Sequence, residues 1–344
     1  MYDYGLSTLE QYSLTLLSTV RTRGALLCRT EEGLFILKEF KGTEKKLRKQ
    51  QELLETLAEA GCRVDAYFAN KEGNLVSRDK DGIPYTLQHW YEGRECDTRS
   101  EEDILRSVCT LAQMHTFMKL PLVEDYMEPS LEDIYQRHNQ ELRKIRKFIR
   151  KKGASCSFEK LYLATVEAYL EKGDRALALL KESEYPLLRQ KAMEEGCVCH
   201  GEYNQHNVLM VRKKTAVTSF EHWGFDIQMA DLYRFMRKIL EKYNWDVRLG
   251  MEMLHTYHKI KEISPGEWQN LRIRFLYPEK YWKLANYYYS HNKAWISEKN
   301  TQKLRNHKRL PHPGTSCLLL RCCLQDPELL FLLHRCSCGW YLLR

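Results

Sequence analysis

The segment between Cys199 and Met210 contains the residue types that phosphoryl transfer requires. Glu202 is followed five residues later by Asn207, and apolar runs typical of short strands lie on both sides. In phosphoryl transfer a carboxylate accepts the proton of the attacking hydroxyl, and a carboxamide oxygen holds magnesium on the nucleotide phosphates. A polar loop whose side chains cap nearby backbone groups would use the same residue types. The segment alone therefore leaves a catalytic loop and a structural loop equally open.

The first ninety residues predict a small antiparallel sheet with one helix. Thr43 can cap a helix over 43–60, apolar residues recur inside it at helical spacing, and Gly61 can end it. Short β-compatible runs separated by glycine-containing turns predict five strands, at 24–29, 34–40, 64–68, 74–77 and 85–90. Lys38 then lies near the end of the second strand.

Helices dominate the sequence from about residue 100 onward. The apolar spacing predicts helices over 101–117, 131–152, 158–172, 174–184, 230–243, 246–263 and 268–293. Short β-like stretches interrupt them between residues 197 and 220. The sequence thus predicts an α+β chain in two lobes, with a β-rich lobe over 1–91 and a helical lobe over 92–304 that contains the candidate catalytic segment.

Several motifs, taken in their order along the chain, resemble a known family. His200-Gly201-Glu202 followed by Asn207 resembles the H-G-D-x-x-x-x-N catalytic loop of the aminoglycoside phosphotransferase and choline kinase-like branch of the protein-kinase fold. This loop and the segments 90–95 and 220–238 together are similar to the CotS-type spore coat proteins of endospore-forming bacteria, across residues 10–304. The resemblance implies a bilobal protein-kinase-like fold, with a small antiparallel-sheet N-lobe plus one helix and a larger helical C-lobe.

The same resemblance implies a phosphate-binding lysine in the β-rich lobe. Lys38 lies where the family places that lysine, and the predicted helix over 43–60 lies where the family places its partner glutamate. Glu52 and Glu55 are both at suitable positions on this helix, and Glu52 is the preferred cofactor-binding partner. The alternatives are a solvated strand lysine and exposed glutamates that make i,i+4 pairs or none.

The catalytic-loop match departs from the family pattern at several positions. Glu202 stands at the base position where active relatives have aspartate, close to His200, and the implied magnesium ligands are Asn207 and Glu221. The extra methylene of Glu202 moves its carboxylate by roughly 1 Å or more, and a misplacement of that size costs on the order of a hundredfold in rate. The glycine-rich phosphate loop of protein kinases is also missing at residues 22–25. The resemblance therefore implies a degenerate phosphotransferase site.

Three functions are compatible with these departures. The expected one is a structural, non-catalytic spore coat protein that binds other spore coat proteins. The second is an active ATP-dependent phosphotransferase that acts on an alcohol or amine, with Glu202, Asn207 and Glu221 in its site and with ATP and Mg²⁺ as cofactors. The third is a pseudokinase that senses a nucleotide. A small-molecule substrate belongs to the second function alone.

The charge, the apolar windows and the first residues limit which partners and which cellular locations we expect. The formal charge of +8 is mild for a chain of 344 residues, so nucleic acid is not an expected partner. No window approaches the roughly 18 apolar residues of a membrane span, and the first residues have neither the basic start nor the apolar core of a secretory signal. We therefore expect a protein that is made and kept inside a cell, and the resemblance implies that this is the mother-cell cytoplasm, from which the protein assembles into the spore coat.

Residues 305–344 differ from the rest of the chain. They contain six basic residues, two acids and five of the twelve cysteines, and they do not continue the charged helix that the resemblance implies. An abrupt shift of this kind is typical of a frame error in the coding sequence. We interpret the segment as an atypical tail, frame-shifted or disordered, without an evolved function.

Overall fold

The computed structural model describes residues 5–22, 24–212, 214–290 and 298–309. The chain forms two compact units, of which the first contains the residues up to Leu122 and the segment Glu195–Phe235. The second contains Val123–Glu194 and the described residues from Met236 onward. The division at residue 91 that the sequence suggests stays a prediction. Most of the atypical tail, from residue 310, lies outside the described residues.

Antiparallel strands form the main sheet of the first unit. The strands of the first hundred residues are β1 (Leu16–Thr22), β2 (Ala25–Thr30), β3 (Gly33–Glu39), β4 (Arg63–Val64), β5 (Tyr67–Phe68), β6 (Val76–Arg78), β7 (Pro84–His89) and β8 (Arg94–Glu95). The sheet has the order β1-β2-β3-β7-β5, and β6 also pairs with β7. Lys38 pairs with Ala25 on β2 and with Thr86 on β7, so it lies in the middle of this sheet.

Strand β1 is missing from the sequence prediction. All seven of its residues are exposed, so burial imposes no alternation of apolar and polar side chains that a pattern could reveal. The predicted hairpin is confirmed as β2 and β3. The predicted strand over 64–68 is divided into β4 and β5 around Asp65 and Ala66.

One helix, α1 (Glu44–Glu59), follows β3 and confirms the predicted helix. The Thr43 hydroxyl accepts the backbone N–H of Lys46, which caps the first turn. Gly61 follows the helix with a φ of +83°, a conformation that glycine adopts without strain. Four leucines form the buried face of α1, and they are Leu47, Leu53, Leu54 and Leu57.

A smaller sheet of the first unit brings distant segments of the chain together. The remaining strands are β9 (Val198–Cys199), β10 (Val208–Val211), β11 (Lys214–Val217) and β12 (Gly224–Phe225). β10 pairs with β11 and with β8, and β4 pairs in parallel with β11, which gives a four-stranded sheet in the order β4-β11-β10-β8. β9 and β12 form a separate two-stranded sheet. The candidate catalytic segment is therefore the connection between β9 and β10, and Glu221 lies in the connection between β11 and β12.

The remaining described residues are mostly helical. The helices are α2 (Glu101–Phe117), α3 (Leu131–Lys152), α4 (Ser157–Lys181), α5 (Tyr185–Glu194), α6 (Met229–Leu240), α7 (Val247–His258), α8 (Pro265–Leu276), α9 (Glu279–Ser290) and α10 (Glu298–Arg309). Helices α3 to α5 and α7 to α10 belong to the second unit. None of the described helices combines the length and the apolar character that crossing a membrane would take.

Several helix boundaries differ from the prediction, and two of the differences have a clear physical cause. Helix α4 continues through Gly173, where the sequence predicts a break between two helices. A Cβ at Gly173 would lie 2.5 Å from Asn139 Oδ1, so this glycine serves the close packing of α4 on α3 and does not end the helix. The predicted helix over 268–293 is divided into α8 and α9 at Pro278, which lacks the backbone N–H that a helix interior needs.

Candidate functional site

A buried carboxylate in the first turn of α6 holds the backbone of the candidate catalytic segment. Asp231 Oδ2 accepts the N–H of His200 at 2.5 Å, and Asp231 Oδ1 accepts the N–H of Gly201 at 3.0 Å. His115 Nε2 lies 3.4 Å from Asp231 Oδ2. Burial acts to raise the pKa of Asp231, but the hydrogen bond from His115 and the nearby positive charges outweigh burial and lower it. Asp231 therefore stays ionised and fixes the start of the segment.

His200 is buried and uses both of its ring nitrogens. Its Nε2 lies 3.1 Å from the carbonyl oxygen of Thr218, and its Nδ1 accepts the backbone N–H of Glu202 at 3.2 Å. These partners assign the hydrogen to Nε2 in a neutral ring. Burial lowers the pKa of His200, which also favours the neutral form. The ring therefore ties the candidate catalytic segment to the chain after β11.

Glu202 and Asn207 are joined through a backbone contact. Asn207 Nδ2 donates to the Glu202 carbonyl oxygen at 3.0 Å, and the N–H of Thr218 donates to the Asn207 carbonyl oxygen at 2.9 Å. No described residue donates to Asn207 Oδ1, so this oxygen can accept a ligand. The side chain of Glu202 is 54% exposed, and its carboxylate lies 3.7 Å from His222 Nε2.

Gly201 allows the candidate catalytic segment to approach the turn that carries Glu221. The φ of Gly201 is +80°, and a Cβ at this position would lie 1.9 Å from the carbonyl oxygen of His222. A side chain would push the two segments apart as well as strain the backbone. Glycine at position 201 is therefore required for the geometry of the site.

Lys38 contacts two carboxylates. Its Nζ lies 3.1 Å from Glu221 Oε1 and 3.7 Å from Asp65 Oδ2. Burial acts to lower the pKa of Lys38, but the charges of Asp65 and Glu221 outweigh burial and raise it. Burial likewise acts to raise the pKa of Glu221, and Lys38 outweighs it and lowers that pKa. Lys38 and Glu221 therefore form an ionised pair, and the structure brings these two predicted site residues together.

The structure gives Lys38 a different partner from the predicted one. Glu52 Oε2 accepts a hydrogen bond from Lys49 Nζ at 2.7 Å, and Glu55 Oε1 accepts one from Gln51 Nε2 at 2.7 Å. Both glutamates thus contact residues of their own helix, which is the alternative that the sequence left open. The structure thus does not contain the expected Lys38–Glu52 contact, because the side chain of Glu52 is directed to Lys49, and a cofactor-binding role of Glu52 stays a prediction.

Asp65 is a site residue that the sequence prediction missed. It is completely buried between β4 and β5, and burial raises its pKa to about 7 against the opposing effect of Lys38. One signal was available, because aspartate is depleted in strands and Asp65 interrupts a β-like apolar run. That signal could mark the residue as unusual, but it could not identify Lys38 as the group that Asp65 contacts.

Asn207 and Glu221 fit the requirements of a magnesium ion. Both offer hard oxygen atoms, and magnesium is commonly held by one or two carboxylates together with waters and substrate phosphates. Across the described ranges, no group of three His, Cys, Asp or Glu side chains is arranged to hold a metal. The protein would therefore supply one carboxylate and one amide oxygen, and phosphate oxygens would supply further ligands.

Comparison with known protein families gives a match over most of the chain. The family model described as "Spore coat putative kinase YutH" matches residues 7–311. Spore coat protein S of Bacillus subtilis strain 168 is 22% identical over 151 residues, a match that spans 43% of this chain and 43% of that protein. The chain thus matches less than half the length of this curated relative. Together the two matches confirm the resemblance to spore coat proteins that the motifs indicate.

Solved structures of phosphotransferases share the fold. An aminoglycoside phosphotransferase from Alicyclobacillus acidocaldarius has a TM-score of 0.82 at 16% identity, with 93% of this chain and 96% of that chain covered. A spectinomycin phosphotransferase solved with ADP and spectinomycin has a TM-score of 0.63 at 13% identity, with 88% and 92% covered. These similarities confirm the predicted α+β, protein-kinase-like fold.

Proposed function

The chain belongs to the YutH family of spore coat proteins, and we propose that it is a structural component of the coat with a degenerate phosphotransferase site. Two features of the first unit support this proposal. The groups that would bind a magnesium nucleotide are retained, and the group at the base position is displaced from where an aspartate would hold it. The proposal therefore separates nucleotide binding from phosphate transfer.

The fixed backbone of Glu202 is the observation that carries the proposal. Its N–H is held by His200 at 3.2 Å, and its carbonyl oxygen accepts hydrogen bonds from Asn204 Nδ2 at 2.8 Å and Asn207 Nδ2 at 3.0 Å. A backbone held at both ends cannot retreat to compensate for the extra methylene of glutamate. The carboxylate then lies roughly 1 Å or more beyond the position of an aspartate carboxylate, and this misplacement lowers the rate by about a hundredfold.

Nucleotide binding is supported by three side chains of the site. Asn207 Oδ1 and Glu221 would hold Mg²⁺, and Lys38 would contact the phosphates of ATP. Mg²⁺ bound there would neutralise charge on the phosphate oxygens. The distance of 3.1 Å between Lys38 Nζ and Glu221 Oε1 supports a site in which the proposed phosphate-binding lysine lies beside one of the two proposed metal ligands.

The family and the name of the B. subtilis relative support a place in the spore coat. The proposed partners are other spore coat proteins, and the proposed site of synthesis is the mother-cell cytoplasm. Nucleic acid has no place in this proposal, and a small-molecule acceptor is required only if the site transfers phosphate.

A complementation experiment tests the structural role. A sporulating strain that lacks the gene would receive the wild-type gene or the Glu202→Ala variant, and the protein extracted with the coat would be measured beside coat integrity. The side chain of Glu202 is 54% exposed, so its truncation should leave the fold intact. We expect both genes to restore the coat to the same extent. Normal levels of the Glu202→Ala protein with a defective coat would contradict the proposal.

An active phosphotransferase is the second candidate. Two observations favour it: Asn207 Oδ1 accepts no hydrogen bond from the described residues, and the carboxylate of Glu202 is exposed. Under this function Glu202 accepts the proton of an alcohol or amine, and Asn207 and Glu221 hold the metal. Glu202→Asp would shorten the side chain and should then raise turnover. Transfer of labelled phosphate from ATP to a panel of alcohols and amines measures it, and no transfer by either form would reject this candidate.

A further inference from the structure

The candidate site depends on a carboxylate that neither the helix α1 nor the catalytic-loop motif supplies. Asp65 Oδ2 lies 3.7 Å from Lys38 Nζ and accepts the backbone N–H of Ser219 at 2.8 Å. Asp65 Oδ1 is buried and has no hydrogen-bond partner among the described residues. The same carboxylate therefore contacts the phosphate-binding lysine and the backbone two residues before Glu221.

Sheet pairing explains why Asp65 reaches both groups. β4 pairs in parallel with β11, with Val64 beside Val217, so the residues that follow these two lie close together. The carbonyl oxygen of Asp65 accepts a hydrogen bond from Gln88 Nε2 at 2.9 Å, which ties the same residue to β7 of the main sheet. Asp65 is thus fixed from two sheets of the first unit, the main sheet and the four-stranded sheet.

Ser219 needs a partner for its unusual backbone. Its φ of +70° and ψ of +57° lie in the left-handed region, which residues with a Cβ seldom adopt. The hydrogen bond from its N–H to Asp65 stabilises this conformation, and the turn Phe220–His222 follows directly. The position of Glu221 therefore depends on Asp65 through the backbone as well as through Lys38.

We propose that Asp65 is the positioning residue of the candidate nucleotide site. It orients Lys38 and the turn that carries Glu221, and it thereby takes the role that the resemblance assigns to a glutamate on α1. The inference rests on the proposed function only in taking Lys38 and Glu221 as the phosphate-binding and metal-binding groups. A consequence is that movement of α1 would not release Lys38, because Glu52 and Glu55 contact their own helix.

The electrostatics of the first unit agree with this role. The charges of Asp65 and Glu221 raise the pKa of Lys38 against burial. Asp65 itself faces Lys38 from β3 and Glu221 from the turn after β11, with Tyr67 and Tyr91 as the other titratable neighbours. A buried carboxylate whose pKa is displaced by burial and a charged partner is typical of functional sites.

Chemical labelling of Lys38 tests the inference without any nucleotide. Purified full-length wild-type, Asp65→Asn and Glu52→Gln proteins would be treated briefly with acetic anhydride at pH 8. The acetylation of Lys38 would be measured by mass spectrometry relative to Lys41, whose side chain is 77% exposed. Both variants replace a carboxylate by an amide of the same shape, so each is the control for the other.

Loss of a counter-charge lowers the pKa of an amine, and each unit of pKa raises its reactive neutral fraction by about tenfold. We therefore expect the Lys38-to-Lys41 labelling ratio to rise several-fold in Asp65→Asn and to stay unchanged in Glu52→Gln. An unchanged ratio in Asp65→Asn, or an increase in Glu52→Gln alone, would overturn the inference. If Asp65→Asn folds poorly, Asp65→Ser provides the same comparison with an acceptor for the Ser219 N–H but no charge.

Calorimetric titration with Mg-ADP between pH 6 and 8.5 supplies a second measurement. We expect wild-type affinity to depend on pH in this range, Asp65→Asn to bind more weakly with little dependence on pH, and Glu52→Gln to match the wild type. Equal affinity in Asp65→Asn and wild type would count against the inference. If wild-type protein binds no Mg-ADP but Lys38 labelling still follows Asp65, the nucleotide part of the proposed function fails and the positioning role stands.

Discussion

Two carboxylates have no side-chain surface exposed to water, Asp65 in the first unit and Glu159 in the second, and their pKa values are shifted in opposite directions. Burial raises the pKa of Asp65 to about 7. Burial acts in the same direction on Glu159, but hydrogen bonds outweigh it and lower that pKa to about 2. Two things separate these carboxylates: Glu159 has more donors around it, and Asp65 lies deeper in the fold, so burial acts more strongly on its pKa.

Glu159 is surrounded by donors that stabilise its charge. Lys152 Nζ lies 2.5 Å from Oε1, and the backbone N–H and hydroxyl of Ser155 lie 2.7 and 3.0 Å from Oε2. The hydroxyl of Tyr288 also donates to Oε1. Glu159 lies in the first turn of α4, where the helix dipole favours a negative charge. This carboxylate contributes to the stability of the second unit.

Asp65 has fewer donors and a lysine at a longer distance. Its Oδ2 has the Ser219 N–H and Lys38, and its Oδ1 has no partner among the described residues. A buried polar atom without a partner lowers the stability of the fold, so its presence in Asp65 indicates a functional role. The comparison teaches that a buried carboxylate with a full set of donors keeps its charge and stabilises the fold, whereas a deeply buried one with an unpartnered oxygen points to a functional group.

Substitution of Asp231 should have the largest effect on stability. This residue lies in the same unit as Asp65 but has a full set of donors, as Glu159 does. In Asp231→Asn an amide NH₂ group would face a backbone N–H or His115. We expect a loss of about 3 kcal/mol in the free energy of unfolding, measured by urea denaturation. The exposed Asp81→Asn is the control, and equal effects in both variants would break the comparison.

Glu159→Gln should have the next largest effect. The amide cannot accept from Lys152, Ser155 and Tyr288 together, although Lys152 is partly exposed and can be rehydrated. We expect a loss of about 2 kcal/mol in denaturant unfolding. Glu167→Gln on the same helix is the matched control, because its pairs with Arg146 and Arg150 are at the surface and are worth under about 1 kcal/mol. A smaller loss for Glu159→Gln than for this control would contradict the role of Glu159.

The pH dependence of stability gives a smaller and more specific test. The pKa of Asp65 is higher in the folded chain than its ordinary value near 4. The folded state therefore binds a proton more tightly, and this group makes stability fall as the pH rises from about 4 to 7. One proton limits the slope to about 1.4 kcal/mol per pH unit.

The Asp65→Asn variant isolates this contribution. Between pH 4.5 and 7.5 the wild type should lose unfolding free energy relative to Asp65→Asn, and above pH 7.5 the difference between the two should stay constant. Urea melts at four or five pH values would measure it. A difference that stays constant with pH, or that shifts in favour of the wild type, is incompatible with a raised pKa at Asp65.

Much of the fold was predictable, because local patterns determine it. The hairpin of β2 and β3, helix α1 and helix α3 follow from turn residues, caps and apolar spacing. Strand β1 was missed because its residues are all exposed, and the continuous helix α4 was missed because Gly173 meets Asn139 only after α3 and α4 pack. Features that depend on packing leave no periodic signal in the sequence.

The site was predictable in its motifs but not in its connections. Lys38 and Glu221 were identified from their positions in the kinase-like order, and the structure brings their charged groups within 3.1 Å. The contact of Asp65 with Ser219 depends on the pairing of β4 with β11, two strands about 150 residues apart in the chain. No local pattern could indicate that pairing, so the resemblance pointed to α1 and to Glu52 instead.

The titration of Asp65 itself tests the central claim most directly, that this carboxyl serves the site and Glu159 serves the fold. Protein labelled with ¹³C at the side-chain carboxyls of aspartate and glutamate would be titrated by NMR, with the two signals assigned by their absence in Asp65→Asn and Glu159→Gln. We predict a midpoint near 7 for Asp65 and no titration of Glu159 down to pH 4. An Asp65 midpoint at or below its ordinary value near 4 would contradict the account.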